Sequence, residues 1–242
     1  MKICVAQIRP VKGKVGANIA IHEKYIRLAV SKGAGAIFFP ELSITGYEPE
    51  LAKELSMDKD DDRLTIFQNI SDEKAITIGV GVPLKTNSGV QISMLIFQSR
   101  QPVKIYSKQF LHADEVPYFI PGNEKVILTL DDNTIAPAIC YELSVPEHSA
   151  AAHAAGANMY IASVAKSVEG MEKAMVTLPA IAKKYSMTVL IANAVGPCDN
   201  FLSAGKTAVW NNQGLLLAQL NDHGEAFLIV DTITGETDEV IV

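Results

Sequence analysis

The run Ala36-Ile37-Phe38-Phe39-Pro40 constrains the fold more than any other stretch of this chain. Four consecutive apolar residues leave no polar face, so a strand made from them must be covered on both sides. Pro40 ends the strand, because proline has no N–H to give to a ladder. A helix is predicted before it over 18–32, with Ile19, Ile26, Leu28 and Ala29 near helical spacing and Gly33 and Gly35 closing it. A sheet enclosed between other layers follows.

The rest of the chain extends that pattern. Strands are predicted at 2–8, 75–82, 91–98, 103–106, 125–130 and 134–139. More are predicted at 158–163, 187–193, 206–211, 215–220 and 226–230. Helices are predicted at 60–70, with Leu64, Phe67 and Ile70 facing inward, and from Pro146 to about residue 155. A last helix is predicted at 169–185, with Pro179 as a kink or break. The segment 108–123 reads as irregular, and Cys198, following Gly196-Pro197, is predicted on a loop. Strands outnumber helices, and hairpins mix with β-α-β units, which fits stacked layers of sheet and helix. With 242 residues, no linker, no low-complexity tract and no repeat, one domain over 1–242 is the simplest reading.

Composition narrows the function. Hydrophobic residues make up 48% and charged residues 20%, and the net charge is −6. No basic cluster stands out, so neither nucleic acid nor an anionic membrane is an expected partner. No apolar stretch is long enough to span a bilayer, and the N-terminal apolar run is too short for a signal peptide, so a cytoplasmic location is expected. The cysteines, at 4, 140 and 198, are widely spaced and include no Cys-x-x-Cys, which suggests neither a disulfide framework nor zinc. His148 and His153 are five apart and do not share a helical face, so they read as surface or core residues and not as a metal pair.

Three strand ends carry chemically complementary groups. Glu41 follows the apolar strand, where desolvation would raise its pKa towards that of a useful general base. Lys108 follows the strand at 103–106, placed to stabilise a developing oxyanion. Cys140 ends the strand at 134–139 just before a helix, at an elbow whose backbone N–H groups can bind an oxyanion. Taken singly, Glu41 reads as a turn or capping carboxylate, Lys108 as a solvated surface charge and Cys140 equally as inert core. Three such ends together argue against coincidence, since catalytic groups collect where a rigid sheet holds them.

These residues lie in motifs that resemble those of the nitrilase superfamily of carbon–nitrogen hydrolases. Phe38-Phe39-Pro40-Glu41-Leu42-Ser43-Ile44-Thr45-Gly46-Tyr47 resembles its glutamate motif, and Tyr106-Ser107-Lys108-Gln109-Phe110-Leu111 its lysine motif. Ile139-Cys140-Tyr141-Glu142-Leu143-Ser144-Val145-Pro146-Glu147 resembles its cysteine motif. Val5-Ala6-Gln7 and Asn193-Ala194-Val195-Gly196 also fit, so the resemblance runs over nearly the whole chain.

The resemblance implies an α/β fold, a four-layer α-β-β-α sandwich, and pairing of subunits into a homodimer or larger homo-oligomer. It implies hydrolysis of a non-peptide carbon–nitrogen bond in a small-molecule substrate, a small linear amide giving acid and ammonia. Glu41 would take the thiol proton, Cys140 attack the carbon to form a thioester, and Lys108 and the Tyr141 N–H steady the oxyanion. Glu115, within His112-Ala113-Asp114-Glu115-Val116-Pro117, matches a second family glutamate that would orient Lys108 and the amide. Tyr47, Glu142, Ser163 and Lys166 are the further candidates for contact with substrate. No metal and no organic cofactor are implied.

Two departures bear on the substrate. Relatives acting on carboxylate-bearing amides often carry arginine two or three residues after the cysteine, where this chain has Glu142 and Leu143, with Ser144 next. That argues against an ω-amidase or a carbamoyl-amino-acid hydrolase. After the next strand, Ser163-Val164-Ala165-Lys166-Ser167 lacks the frequent aromatic residue; Lys166 reads equally as a partner for a substrate carboxylate and as a surface lysine. The rival functions are a nitrilase, an N-carbamoyl amide hydrolase and, from another class, a binding or scaffold protein with a vestigial site.

Overall fold

A computed structural model describes residues 1–242. The first part of the chain runs β1 (Lys2–Gln7), α1 (Val15–Ser31), β2 (Ala34–Phe38), α2 (Ala52–Leu55), α3 (Thr65–Lys74), β3 (Thr77–Lys85), β4 (Val90–Phe97) and β5 (Lys104–Ser107). It continues with β6 (Leu128–Leu130), β7 (Asn133–Ile139), α4 (Pro146–Ala154), β8 (Met159–Val164), α5 (Val168–Tyr185) and β9 (Thr188–Asn193). The last strands are β10 (Val195–Cys198), β11 (Phe201–Ala204), β12 (Ala208–Trp210), β13 (Leu216–Gln219), β14 (Ala226–Asp231) and β15 (Thr237–Ile241).

Side chains alternate along a strand, and here both alternating sets are apolar. Ile3 and Val5 of β1 point into one core, while Cys4 and Ala6 point into another. Ala36 and Phe38 of β2 divide from Ile37 in the same way, as do Met159 and Ile161 of β8 from Tyr160 and Ala162. Strands of this kind form two sheets, ordered β15-β14-β1-β2-β3-β4-β5 and β13-β12-β9-β8-β7-β6, with β10-β11 as a separate hairpin. The inner faces pack on each other through Ile3, Phe38, Met94, Tyr106, Ile139, Ile161 and Leu190. On the outer face of the first sheet lie Tyr25, Ile26 and Ala29 of α1 with Phe67 and Ile70 of α3. On the outer face of the second lie Ala152 of α4 and Met171, Ala174, Leu178 and Ala182 of α5. The layers are therefore α-β-β-α. No helix is long and apolar enough to cross a membrane.

β1–β2–β3 and β7–β8–β9 pair in parallel, so their carboxyl ends gather on one edge. Ligands bind beyond the carboxyl ends of such strands.

Several sequence expectations need correction. The helix predicted over 60–70 is a short 3-10 turn at Asp62–Leu64 followed by α3, and it starts later than predicted because Asp61 caps the turn by accepting a hydrogen bond from Arg63 N. Leu64, Phe67 and Ile70 do face inward. The strand predicted at 125–130 shrinks to Leu128–Leu130, and that at 206–211 to Ala208–Trp210. α5 runs unbroken through Pro179, whose missing N–H removes one bond from the helical ladder without ending it. Cys198 is not on a loop but ends β10, whose hairpin with β11 hides behind Gly196-Pro197. β15 escaped notice because only Val240 in it is buried.

α1 also buries two polar residues, Asn18 and His22, on the stripe where an apolar face was expected. They hold the loop after β2. Ser43 donates to His22 Nε2 at 2.9 Å and accepts from Gly81 N at 3.2 Å, while His22 Nδ1 donates to Asn18 O at 2.7 Å. Gly81 has no room for a side chain: a Cβ there lands on the backbone of Pro40 and Leu42, on either side of Glu41. Replacing it should force that loop away, at a cost of about 1–3 kcal/mol. Gly81→Ala is therefore expected to lower the urea midpoint with little change in slope, and an unaltered midpoint would show that the loop yields freely.

Candidate active site

Glu41 enters the site on a tight turn. Ser43 N donates to Pro40 O at 3.2 Å, Thr45 N to Leu42 O at 3.0 Å and Ile44 N to Gly81 O at 3.0 Å. Asn18 Nδ2 donates to Ile44 O at 3.0 Å, tying the turn to α1. From the second sheet, Ser163 Oγ donates to Phe39 O at 2.7 Å, two residues before Glu41. The carboxylate thus projects between the sheets from a loop fastened on three sides.

Lys108 follows β5, with its own N–H donated to Ile92 O at 2.8 Å and its carbonyl accepting from Gly122 N at 2.7 Å. Its ammonium is wholly buried and donates to Glu41 Oε1 at 2.8 Å and Glu115 Oε1 at 2.6 Å. Glu115 is itself held by Tyr47 OH at 2.9 Å and His112 N at 2.8 Å. Burial works to lower the Lys108 pKa, but Glu41, Cys140 and Glu115 outweigh it and keep the ammonium firmly charged. Burial pushes the Glu41 carboxyl up to about 7; Lys108 opposes that rise, Glu115 adds to it, and Cys140 eases it. Glu41 Oε2 is buried without an N–H or O–H partner, so this carboxylate keeps one acceptor oxygen in hand.

Cys140 sits at the end of β7, where the chain turns into a 3-10 segment, Cys140–Ser144. Its φ of 47° is left-handed, a conformation that costs a residue with a Cβ about 1–2 kcal/mol. Glu142 holds the elbow in place: its carboxylate accepts from Ile139 N at 2.7 Å, Gln109 N at 2.6 Å and Tyr106 OH at 2.7 Å. One side chain thus joins the segment carrying Lys108 to the segment carrying Cys140. Behind it runs a buried relay. Tyr160 OH donates to His148 Nδ1 and His148 Nε2 to the Tyr106 hydroxyl oxygen, each at 2.7 Å. That direction requires a neutral imidazole, in keeping with burial lowering the His148 pKa to about 4. Burial pushes the Cys140 thiol up to about 11; Glu41 adds to the rise, and Lys166 and Lys108 pull it down.

A cavity of ≈ 210 Å³ opens over this thiol, below the roughly 300–1,000 Å³ common for ligand pockets, and so suited to a small molecule. The candidates Cys140, Glu115, Tyr47, Tyr141 and Lys166 line it, and Glu41 and Lys108 lie behind it. Two others stand elsewhere. Glu142 and Ser163, expected at the substrate, do not line the cavity; the Glu142 carboxylate and the Ser163 hydroxyl are bonded within the protein, so they position Cys140 and Glu41. The sequence reading missed Phe201, from β11, whose ring meets Tyr47 at 5.9 Å. It also gave no role to His112 and Asp114, which pair at 2.6 Å on the rim. His148 belongs to the core, as one of the two readings had it. No group of three or more His, Cys, Asp or Glu side chains is arranged to hold a metal ion.

Chemically, the parts suit attack on an electrophilic carbon: a thiol, a carboxylate with a free oxygen and an ammonium where negative charge would develop. The Tyr141 N–H, second in the turn, has no acceptor within it and can add a second donor.

Comparison with known proteins agrees. A sequence model of the family described as carbon-nitrogen hydrolase matches residues 2–241. The chain is 22% identical, over 96% of its length, to the glutamine-dependent NAD(+) synthetase of Thermotoga maritima, of which it covers 42%. It thus spans less than half the length of that relative. It is 28% identical, over 79% of its length, to omega-amidase YafV of Escherichia coli, of which it covers 74%. Among solved structures, a mutant of the amidase from Nesterenkonia sp. AN1 in complex with butyramide matches with a TM-score of 0.87 at 22% identity, over 96% of this chain and 90% of that one. That likeness speaks for the fold, and the family match reaches from the first strand to the last: this protein belongs to the carbon–nitrogen hydrolase family.

Proposed function

We propose that the chain hydrolyses a small linear amide to a carboxylic acid and ammonia through a thioester on Cys140. The observation that carries this reading is the buried Lys108 ammonium, bonded to both Glu41 and Glu115 beside a thiol on a strained elbow.

Glu41 Oε2 takes the thiol proton as sulfur attacks the carbonyl carbon. The C–S bond forms, and the carbonyl oxygen gains negative charge against Lys108 Nζ and the Tyr141 N–H. Collapse breaks the C–N bond, and Glu41 returns the proton to the departing ammonia. Water then attacks the thioester, giving a proton to Glu41; the C–S bond breaks, the acid leaves and the thiolate regains its proton. The balance is amide plus water to acid plus ammonia. Glu115 favours an amide over a nitrile, because an amide offers N–H donors to a carboxylate at the cavity wall and a nitrile offers none. Likeness to an omega-amidase and to an amidase supports the same class.

Three outcomes test the reading. Cys140→Ala should abolish ammonia release from amides that the native protein turns over while leaving the fold intact; activity in a folded Cys140→Ala variant would sink the assignment.

The base must be deprotonated to act, and Glu41 is pushed up to about 7. Lowering the pH below that value protonates it, so kcat/KM should fall, approaching tenfold per pH unit. A flat profile from about pH 5 to 8 would remove Glu41 as the titrating base.

Cys140 is half-buried on the cavity, whereas Cys4 and Cys198 are buried, with the Cys198 thiol pushed up to about 12 by burial. Iodoacetamide should therefore modify Cys140 at least about tenfold faster than the other two, read by peptide mass spectrometry. Equal slow labelling would favour a vestigial site.

A further inference from the structure

Of the charged groups lining the cavity, all but one are already matched. Glu115 is bonded to Lys108, Tyr47 and His112 N. Asp114 pairs with His112 and is largely exposed to solvent. Lys166 is the exception: it forms no ion pair, and its ammonium donates no hydrogen bond within the protein.

This is not a loose surface lysine. Lys166 is half-buried, just past the end of β8, and its backbone is fixed at four points. Its N–H donates to Asn193 Oδ1 at 2.9 Å. Its carbonyl accepts from Asn193 Nδ2 at 3.2 Å, Ser203 Oγ at 3.1 Å and Ala204 N at 2.8 Å. Asn193 is held in turn, with Nδ2 also donating to Gly205 O at 2.8 Å. The root of the side chain is rigid, its charged end is unmatched, and it shares a small cavity with Cys140, Tyr141 and Phe201.

We propose that Lys166 anchors the substrate's anionic group: the amide taken by this site carries a carboxylate, or another anion, at the far end of a short acyl chain. The inference rests on the amide-hydrolase reading above. The Lys166 ammonium has no protein partner on the cavity, and its attraction for an incoming anion is stronger in a confined cavity than on an open surface. The cavity volume limits the acyl chain to a few carbons, with Phe201 and Ala165 as its apolar wall. Glu142, Leu143 and Ser144 put no cation after Cys140, and Lys166 is the one lysine or arginine that lines the cavity. Because Lys166 also pulls the thiol down, its removal should slow every amide somewhat. The ratio between anionic and neutral substrates isolates the anchoring role.

The test compares kcat/KM for the monoamides of four- and five-carbon dicarboxylic acids with that for uncharged amides of equal chain length. The native protein should favour the anionic amides by at least about tenfold, mostly through KM. Lys166→Met should bring that ratio close to one, Lys166→Arg should largely keep it, and Lys166→Glu should turn the preference towards amides bearing an ω-amino group. Circular dichroism confirms that each variant is folded. Equal or better turnover of the neutral amides by the native protein overturns the anchor and leaves the amide-hydrolase reading standing, as does an equal loss on both classes in Lys166→Met. Failure of the native protein to release ammonia from any amide removes both.

Discussion

The site depends on one ammonium buried between two carboxylates. Taking an ion out of water costs several kcal/mol even after the protein relaxes, and an ion wholly hidden from solvent needs close partners to remain charged. Lys108 has two, at 2.8 and 2.6 Å. Two carboxylates against one ammonium leave a surplus of negative charge in a dry space. That surplus, added to burial, lifts Glu41 to about 7. Burial is the larger cause of that rise, and Glu115 adds to it against the opposing pull of Lys108. Glu115 therefore acts on the chemistry through charge as well as through contact.

The fold delivers these groups because four strand ends from two sheets meet at one edge. β2 ends before Glu41 and β5 before Lys108 in the first sheet; β7 ends before Cys140 and β8 before Lys166 in the second. Packing of the sheets sets the spacing only coarsely, and buried polar bonds refine it. Ser163 ties the second sheet to the backbone before Glu41, and Glu142 ties the segment of Lys108 to the elbow of Cys140. Each is a single side chain bridging distant parts of the sequence, and neither lines the cavity.

The stacking of sheet and helix was legible in the sequence because it rests on short-range signals: apolar runs such as 36–39 announce coverage on both faces. Glu41, Lys108 and Cys140 each read as bland alone, and it was their joint placement at three strand ends, in motifs resembling one family, that singled them out. The polar supports were not legible, for an equally physical reason. Glu142 and Ser163 lie close to Cys140 and Lys166 in sequence and so looked like substrate contacts, while their partners, Gln109 and Phe39, stand far away along the chain. Asn18 and His22 interrupt the apolar face of α1, and only the buried turn at Ser43 gives them a purpose. Phe201 reaches the cavity from a hairpin whose Gly196-Pro197 reads as loop, so no local pattern marked it.

Proton placement follows from the same charge balance. With the thiol pushed up to about 11 and the Glu41 carboxyl to about 7, the proton rests on sulfur before substrate arrives. A preformed thiolate would add a third negative charge beside Glu41 and Glu115, with Lys108 already shared between them. In the reaction proposed above, transfer to Glu41 therefore belongs with carbon–sulfur bond formation, when the charge passes from sulfur to the carbonyl oxygen and meets the ammonium. Glu41 becomes neutral as it accepts the proton, so the negative charge near Lys108 is relocated and not increased. The site suits a substrate whose carbonyl oxygen can receive that charge at the moment sulfur would otherwise have to carry it.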